Sequence, residues 1–162
     1  LRIIKNNQVQ DDEWSLIVTV DSGDTIPDGD IIIPFKYWKE NQTTLDNRVG
    51  KTAICINGED RIEDIVSFIT QFDLIALEFP AFKDGRCYSH ARLLRDRYKF
   101  EGDLRAVGDV LRDQVFYLNR CGISSFYIRD DKDIEDALNA LKDFTVTYQT
   151  AADGALPVYK LR

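Results

Sequence analysis

The chain predicts a single α/β domain built on a mainly parallel sheet, and three observations predict it. Short apolar runs alternate with stretches of helical period about five times between residues 30 and 148. The runs are apolar throughout rather than alternating in polarity, as in parallel strands covered on both faces. The intervening stretches carry apolar stripes, Ile62, Ile65, Val66 and Ile69 in one and Leu111, Val115 and Leu118 in another, the latter followed by Gly122 where a helix stop belongs.

Taken in order, residues 2 to 20 predict a strand pair: Arg2 to Lys5, a turn at Asn6-Asn7, Gln8 to Gln10, an acidic break, then Trp14 to Val20. Asn-Asn suits a tight hairpin because asparagine tolerates positive φ. Asp21 to Asp30, rich in Gly, Asp and Pro, predicts a loop. Six strands follow, at Asp30 to Pro34, Thr52 to Ile56, Leu74 to Phe79, Leu104 to Val107, Ser125 to Ile128 and Val146 to Tyr148. Helices are predicted between them at Tyr37 to Asn47, Ile62 to Phe72, His90 to Phe100, Val110 to Cys121 and Asp133 to Phe144. An open doubly wound sheet and an incomplete βα-barrel both fit, five units being too few for a closed eight-stranded barrel.

Length and composition exclude several classes. The chain of 162 residues suffices for one core, burying roughly 70% of the surface its unfolded form exposes. No apolar run reaches the roughly 18 residues of a membrane helix and no signal-peptide pattern opens the chain, so the cytoplasm is the expected compartment. Cys55, Cys87 and Cys121 form no CxxC pair and His90 is the one histidine, so metal, iron–sulfur and disulfide frameworks lack their signatures. Neither GxGxxG nor GxxxxGK[ST] is present, and no cofactor is evident.

The stretch Asp84 to Gln114 stands out. It holds six of the twelve arginines and nets plus one, in a chain of net charge −7. A locally basic segment in an acidic protein points to a small anion or to internal ion pairs rather than to nucleic acid. Ligands of parallel α/β sheets bind at the carboxyl ends of the strands, here Pro34 and Phe35, Asn57 and Gly58, Glu78 to Pro80, Gly108 and Asp109, and Arg129 to Asp131. Glu78 and Arg105 are each the lone charge in an apolar run; they pair with each other if their strands are neighbours, or serve a ligand. Gly85 and Arg86 precede a helix with Ser89 as its expected N-cap, which would gather backbone N–H groups, a guanidinium and a hydroxyl into an anion pocket. Asp109 is expected to cap the next helix, with Arg112 and Asp113 one turn on joining it in a network. Arg92, Arg95 and Arg97 are placed on a solvated face, Arg92 pairing with Asp96. Cys87, beside Arg86 at a helix start, is either a reactive thiolate or a small packing residue.

The motif DGRxYSxARLLRxRYxFxGxLRAVGDVLRDQxxxLxRCG, Asp84 to Gly122, resembles a bacterial family known as domain of unknown function 934. Asp12-Glu13-Trp14, Ile33-Pro34 with Trp38, Leu77 to Pro80 and Val146 to Gln149 resemble it too. Members are commonly labelled probable oxidoreductases involved in sulfite reduction, and their genes lie beside those for sulfite reductase. The resemblance implies a role in assimilatory sulfite reduction, with sulfite reductase as partner. It marks Gly85, Arg86, Ser89, Arg92, Arg95, Arg105, Gly108, Asp109, Arg112, Asp113 and Gln114 as motif positions. Members usually carry glycine where Cys87 stands, which counts against a nucleophile there.

The expected function is therefore a cytoplasmic accessory protein of sulfite reduction that binds a small oxyanion, sulfite reductase, or both, the oxyanion held by Gly85, Arg86, Ser89, Arg105 and Arg112. The alternative is an enzyme of the same pathway with Glu78 or Asp109 as acid–base group.

Overall fold

The hairpin forms where the asparagines place it. In a computed structural model describing residues 1–20 and 25–161, Asn6 and Asn7 both take left-handed backbone angles, φ 53° and 58°, and join β1 (Arg2–Lys5) to antiparallel β2 (Gln8–Asp11). Of the third expected strand only β3 (Ser15–Leu16) is regular, and part of the loop expected after it, residues 21–24, lies outside the described residues. Five more strands follow: β4 (Ile31–Pro34), β5 (Thr52–Ile56), β6 (Leu74–Phe79), β7 (Asp103–Gly108) and β8 (Ser125–Phe126). The segment Val146 to Tyr148 is not a strand; among the described residues it makes one isolated bridge, Thr147 to Pro157.

The helices are shorter than the periodicity suggests. They are α1 (Phe35–Glu40), α2 (Gln42–Leu45), α3 (Ile62–Ile65), α4 (Arg86–Arg92), α5 (Arg112–Arg120) and α6 (Ile134–Asn139). The stretch after α3 tightens into a 3-10 helix, Val66–Gln71, and that after α4 widens into a π turn, Leu93–Arg97.

All eight strands form one sheet in the order β2-β1-β8-β7-β6-β5-β4-β3, parallel from β3 to β8. Each crossover steps one strand along in the same direction, so the helices gather on one face. There Ile54, Ile56, Ile75, Leu77, Leu104 and Ala106 meet Ile65, Leu94, Val115 and Leu118. Trp38 anchors one end of this layer against Phe68 and Phe72, its ring centroid 5.2 and 4.9 Å from theirs. Both faces are covered, as the apolar runs imply, but helices cover only this one, which excludes the doubly wound alternative. The second face holds Ile32, Ala53, Leu74, Ala76 and Val107 under Trp14, Leu16, Cys55 and Tyr127, with no helical residue among them.

What covers that second face is the curl of the sheet itself. β2 and β3 are its two opposite edges, yet residues 12–14 alone join them. That link spans at most about 14 Å, whereas the edges of a flat eight-stranded sheet stand roughly 33 Å apart at ~4.8 Å per strand. The fold is a single α/β domain whose sheet curls into an incomplete βα-barrel.

Candidate functional site

The carboxyl ends of β3–β7 surround a cavity of about 400 Å³, the mouth of the curled sheet. Strand polarity brings Pro34, Phe35, Asn57, Glu78 and Gly108 to it, as the sequence implies. Leu16, Ile17 and Val18 supply an apolar wall, and Lys36, Cys55, Glu59, Asp60 and Val107 complete the lining. Glu78 faces inward because β6 alternates, with Leu74 and Ala76 on the same side. Its carboxylate is partly buried and, among the described residues, makes no hydrogen bond or ion pair. The Cys55 thiol on the neighbouring strand is pushed up by burial and then by Glu78, so it stays neutral and can only donate weakly.

Gly108 ends β7 at φ +95°, close against the β6 backbone: a Cβ there would lie 2.5 Å from the Phe79 carbonyl oxygen. The turn that follows differs from expectation. Asp109 does not cap α5, which begins at Arg112; the Leu111 N–H instead donates to the Gln114 side chain at 2.9 Å. Asp109 accepts from the Phe82 N–H at 3.1 Å and from Arg129 at 2.8 Å, tying together the loops after β6, β7 and β8. Asp113 is exposed and takes no part in that network.

The arginines divide by partner. Arg105 lies inside the curl, 2% exposed, and does not pair with Glu78. It donates to Asp12 at 2.7 Å, Ser125 at 3.1 Å and Asp103 at 3.5 Å. Arg112 grips both oxygens of Asp143, at 2.9 and 3.1 Å, and Asp136 at 3.1 Å, so the bidentate edge of its fork already holds a carboxylate. Arg86 opens α4 at the carboxyl end of the sheet and lies across Gly58, where a Cβ would meet its Nε at 2.5 Å. Its fork grips Asp84 at 3.0 and 2.8 Å, which holds that carboxyl down at about 2. The cap of α4 is Gly85, and Ser89 sits exposed within the helix rather than at its start. Arg92 pairs with Asp96 at 2.6 Å as expected. Arg95 leaves the solvated face assigned to it and turns inward, donating to the carbonyls of Phe100, Gly102 and Gly122.

Cys87 is buried under α4, its thiol donating to the Glu78 carbonyl at 3.3 Å. Burial, then Asp84 and Glu78, push it up to about 12, and Arg86 only partly opposes them. The packing reading holds and the thiolate does not. In the native protein at pH 8 Cys87 is expected to resist iodoacetamide and to alkylate within minutes once denatured. Peptide mapping by mass spectrometry checks this, and rapid native labelling would restore the nucleophile.

Among the described residues no helix is long and apolar enough to cross a membrane, and no group of three or more His, Cys, Asp or Glu is placed to hold a metal ion. No curated protein and no solved structure matches the chain. A family model described as "Bacterial protein of unknown function (DUF934)" matches residues 53–159, from β5 through the segment beyond α6, and the chain belongs to that family.

Proposed function

We propose that the protein is an accessory protein of assimilatory sulfite reduction that works by binding a small ligand in the mouth of its curled sheet. The observation that carries the binding reading is the cavity of about 400 Å³ with Glu78 unpaired, among the described residues, in its lining. Its volume falls in the range of small-molecule sites, about 300–1,000 Å³, and the carboxyl ends of parallel strands are where such folds bind ligands. The pathway rests on the family resemblance of the Asp84 to Gly122 motif.

Charge and size both speak to the ligand. Glu59, Asp60 and Glu78 outnumber Lys36 in the lining, which repels a dianion. A four-atom oxyanion such as sulfite displaces no more than about four waters, roughly 120 Å³ at ~30 Å³ each, under a third of the space. The mouth suits an organic molecule of metabolite size, with an apolar part against Leu16 to Val18 and a cationic or hydrogen-bond-donating group on Glu78. One observation favours the enzyme alternative: an unpaired, partly buried carboxylate at the mouth is placed to accept a proton from a bound substrate. Asp109, held by Phe82 and Arg129, is not so placed.

Two experiments separate the two halves of the reading. A thermal-shift panel of amines, amino acids and sulfur metabolites tests the mouth: a ligand at 100 times its dissociation constant adds about 2.7 kcal/mol, and Glu78→Gln should remove most of that gain. A panel without a hit on the folded protein would end the binding reading. Deletion of the gene tests the pathway, with slow growth on sulfate and rescue by cysteine expected; unchanged growth on sulfate would count against sulfite reduction.

A further inference from the structure

We propose a second, separate site for a small oxyanion group, in the cavity of about 230 Å³ between α4, the carboxyl end of α5 and residues 149–151. Arg92 and Arg120 line it together with Tyr117, Gln149 and Thr150, and no carboxylate among the described residues does. This inference does not depend on the mouth or on the sulfite pathway.

Local charge supports it. Arg95, whose guanidinium is hydrogen-bonded to the Gly122 carbonyl beside Cys121, makes no ion pair with a carboxylate among the described residues. Arg92 and Arg120 in the lining are matched one to one by Asp96 and Asp153, so the surplus comes from Arg95 outside the lining, opposed at longer range by Asp103. Burial lowers the pKa of Arg95, and Asp103 partly opposes the shift.

The two guanidiniums are also pre-positioned. Arg120 is 11% exposed, with Nη1 on both oxygens of Asp153 at 3.2 and 3.0 Å and Nη2 on the Gln149 carbonyl. Arg92 uses Nη2 alone, on Asp96. A guanidinium carries five N–H donors, so both side chains keep donors to spend while their carboxylates fix them in place. The carboxyl end of a helix ordinarily repels anions. Here the carbonyls of Tyr117, Leu118 and Asn119 are taken by the N–H groups of Cys121, Ile123 and Gly122, which blunts that pole.

Size sets the ligand class. An ion of four or five heavy atoms occupies roughly 120–150 Å³ at ~30 Å³ per atom, filling over half of the cavity and leaving room for two or three waters. A phosphate or sulfate ester offers the same oxyanion group, so both sources belong in the test.

The experiment is calorimetric titration of the whole chain with sulfate, sulfite and inorganic phosphate, ionic strength held constant with chloride, and with adenosine 5′-phosphate as the ester. Saturable binding is expected, with Arg92→Gln weakening it about tenfold or more, the scale of a lost charge-assisted hydrogen bond. Arg97→Gln, at an exposed arginine stacked on Tyr98, and Glu78→Gln, at the mouth, should leave it unchanged. Adenosine 5′-phosphate binding more tightly than phosphate, with the same sensitivity to Arg92→Gln, keeps the site and makes the ester its ligand. Binding no stronger than chloride, equal binding by the Arg92 and Arg97 variants, or loss in Glu78→Gln overturns the proposal.

Discussion

Arg105→Ala should destabilise the fold by about 3–5 kcal/mol, the usual cost of removing one partner of a buried ion pair. For a chain of this length that lowers the melting temperature by roughly 6–20 °C, at ~2–4 °C per kcal/mol. The substitution strands Asp12, 4% exposed, whose ion-pair partner at 2.7 Å is Arg105. Asp103 keeps Lys5 at 3.0 Å and Ser124 at 2.6 Å, so the damage centres on Asp12. Arg105→Ala combined with Asp12→Ala should therefore be less destabilised than the sum of the two single variants. The acid limb gives a second readout. Burial alone would raise the Asp103 pKa, but the Ser124 hydroxyl, Lys5 and Arg105 together hold it below the ordinary value. A carboxyl depressed on folding contributes stability above its unfolded pKa of about 3.9 and loses it as pH falls through the folded value. Without Arg105 the folded value rises, so acid unfolding should begin at higher pH. An Arg105→Ala protein that melts within a degree of wild type would show that the network contributes nothing.

Gly108→Ala should cost roughly 2–4 kcal/mol, more than φ alone exacts from an alanine in left-handed backbone. At φ +95° the new Cβ would stand 2.5 Å from the Phe79 oxygen and 3.1 Å from its carbonyl carbon, and neither can rotate away. Relief requires β6 and β7 to part where Phe79 pairs with Gly108 and Glu78 with Val107, which is the floor of the mouth. Ligand binding should suffer with stability. Gly85→Ala is the control: its φ is −98° and the nearest atom is 3.6 Å from a built Cβ, so the change should stay within about 0.5 kcal/mol. Equal melting temperatures for the two variants would refute the close-approach account.

The strands were legible because parallel strands are apolar from end to end, and the Asn6-Asn7 turn because its residues accept the required angles. The curl was not. A run such as Thr52–Ile56 reads the same whether its second face is covered by helices or by the bent sheet. Val146 to Tyr148 has strand composition, but composition supplies no neighbouring strand to pair with. The start of α4 differs from the expected Ser89 because the chain turns earlier: Asp84 accepts the Arg86 N–H at 3.2 Å just ahead of the helix, and Gly85 is its cap. At the mouth, Glu78 and Gly108 follow from strand polarity. Leu16 to Val18 depend on the three-residue link between the edges, which no local pattern announces. A charge count finds arginines but not their partners: Asp12 is 93 residues from Arg105 and Asp143 is 31 from Arg112.

The pairing of β1 with β8 sets an order of assembly. Ile4 lies opposite Phe126, 122 residues later, and both Ile3 and Ile4 are wholly buried once the pair has formed. Strands β3–β8 are sequential neighbours and can pair as each follows the last, whereas β1 must wait until β8 has left the ribosome. At about 5–20 residues per second, the hairpin spends some 6–24 seconds of synthesis with those isoleucines uncovered. That interval, rather than the finished fold, is when the chain is most open to aggregation.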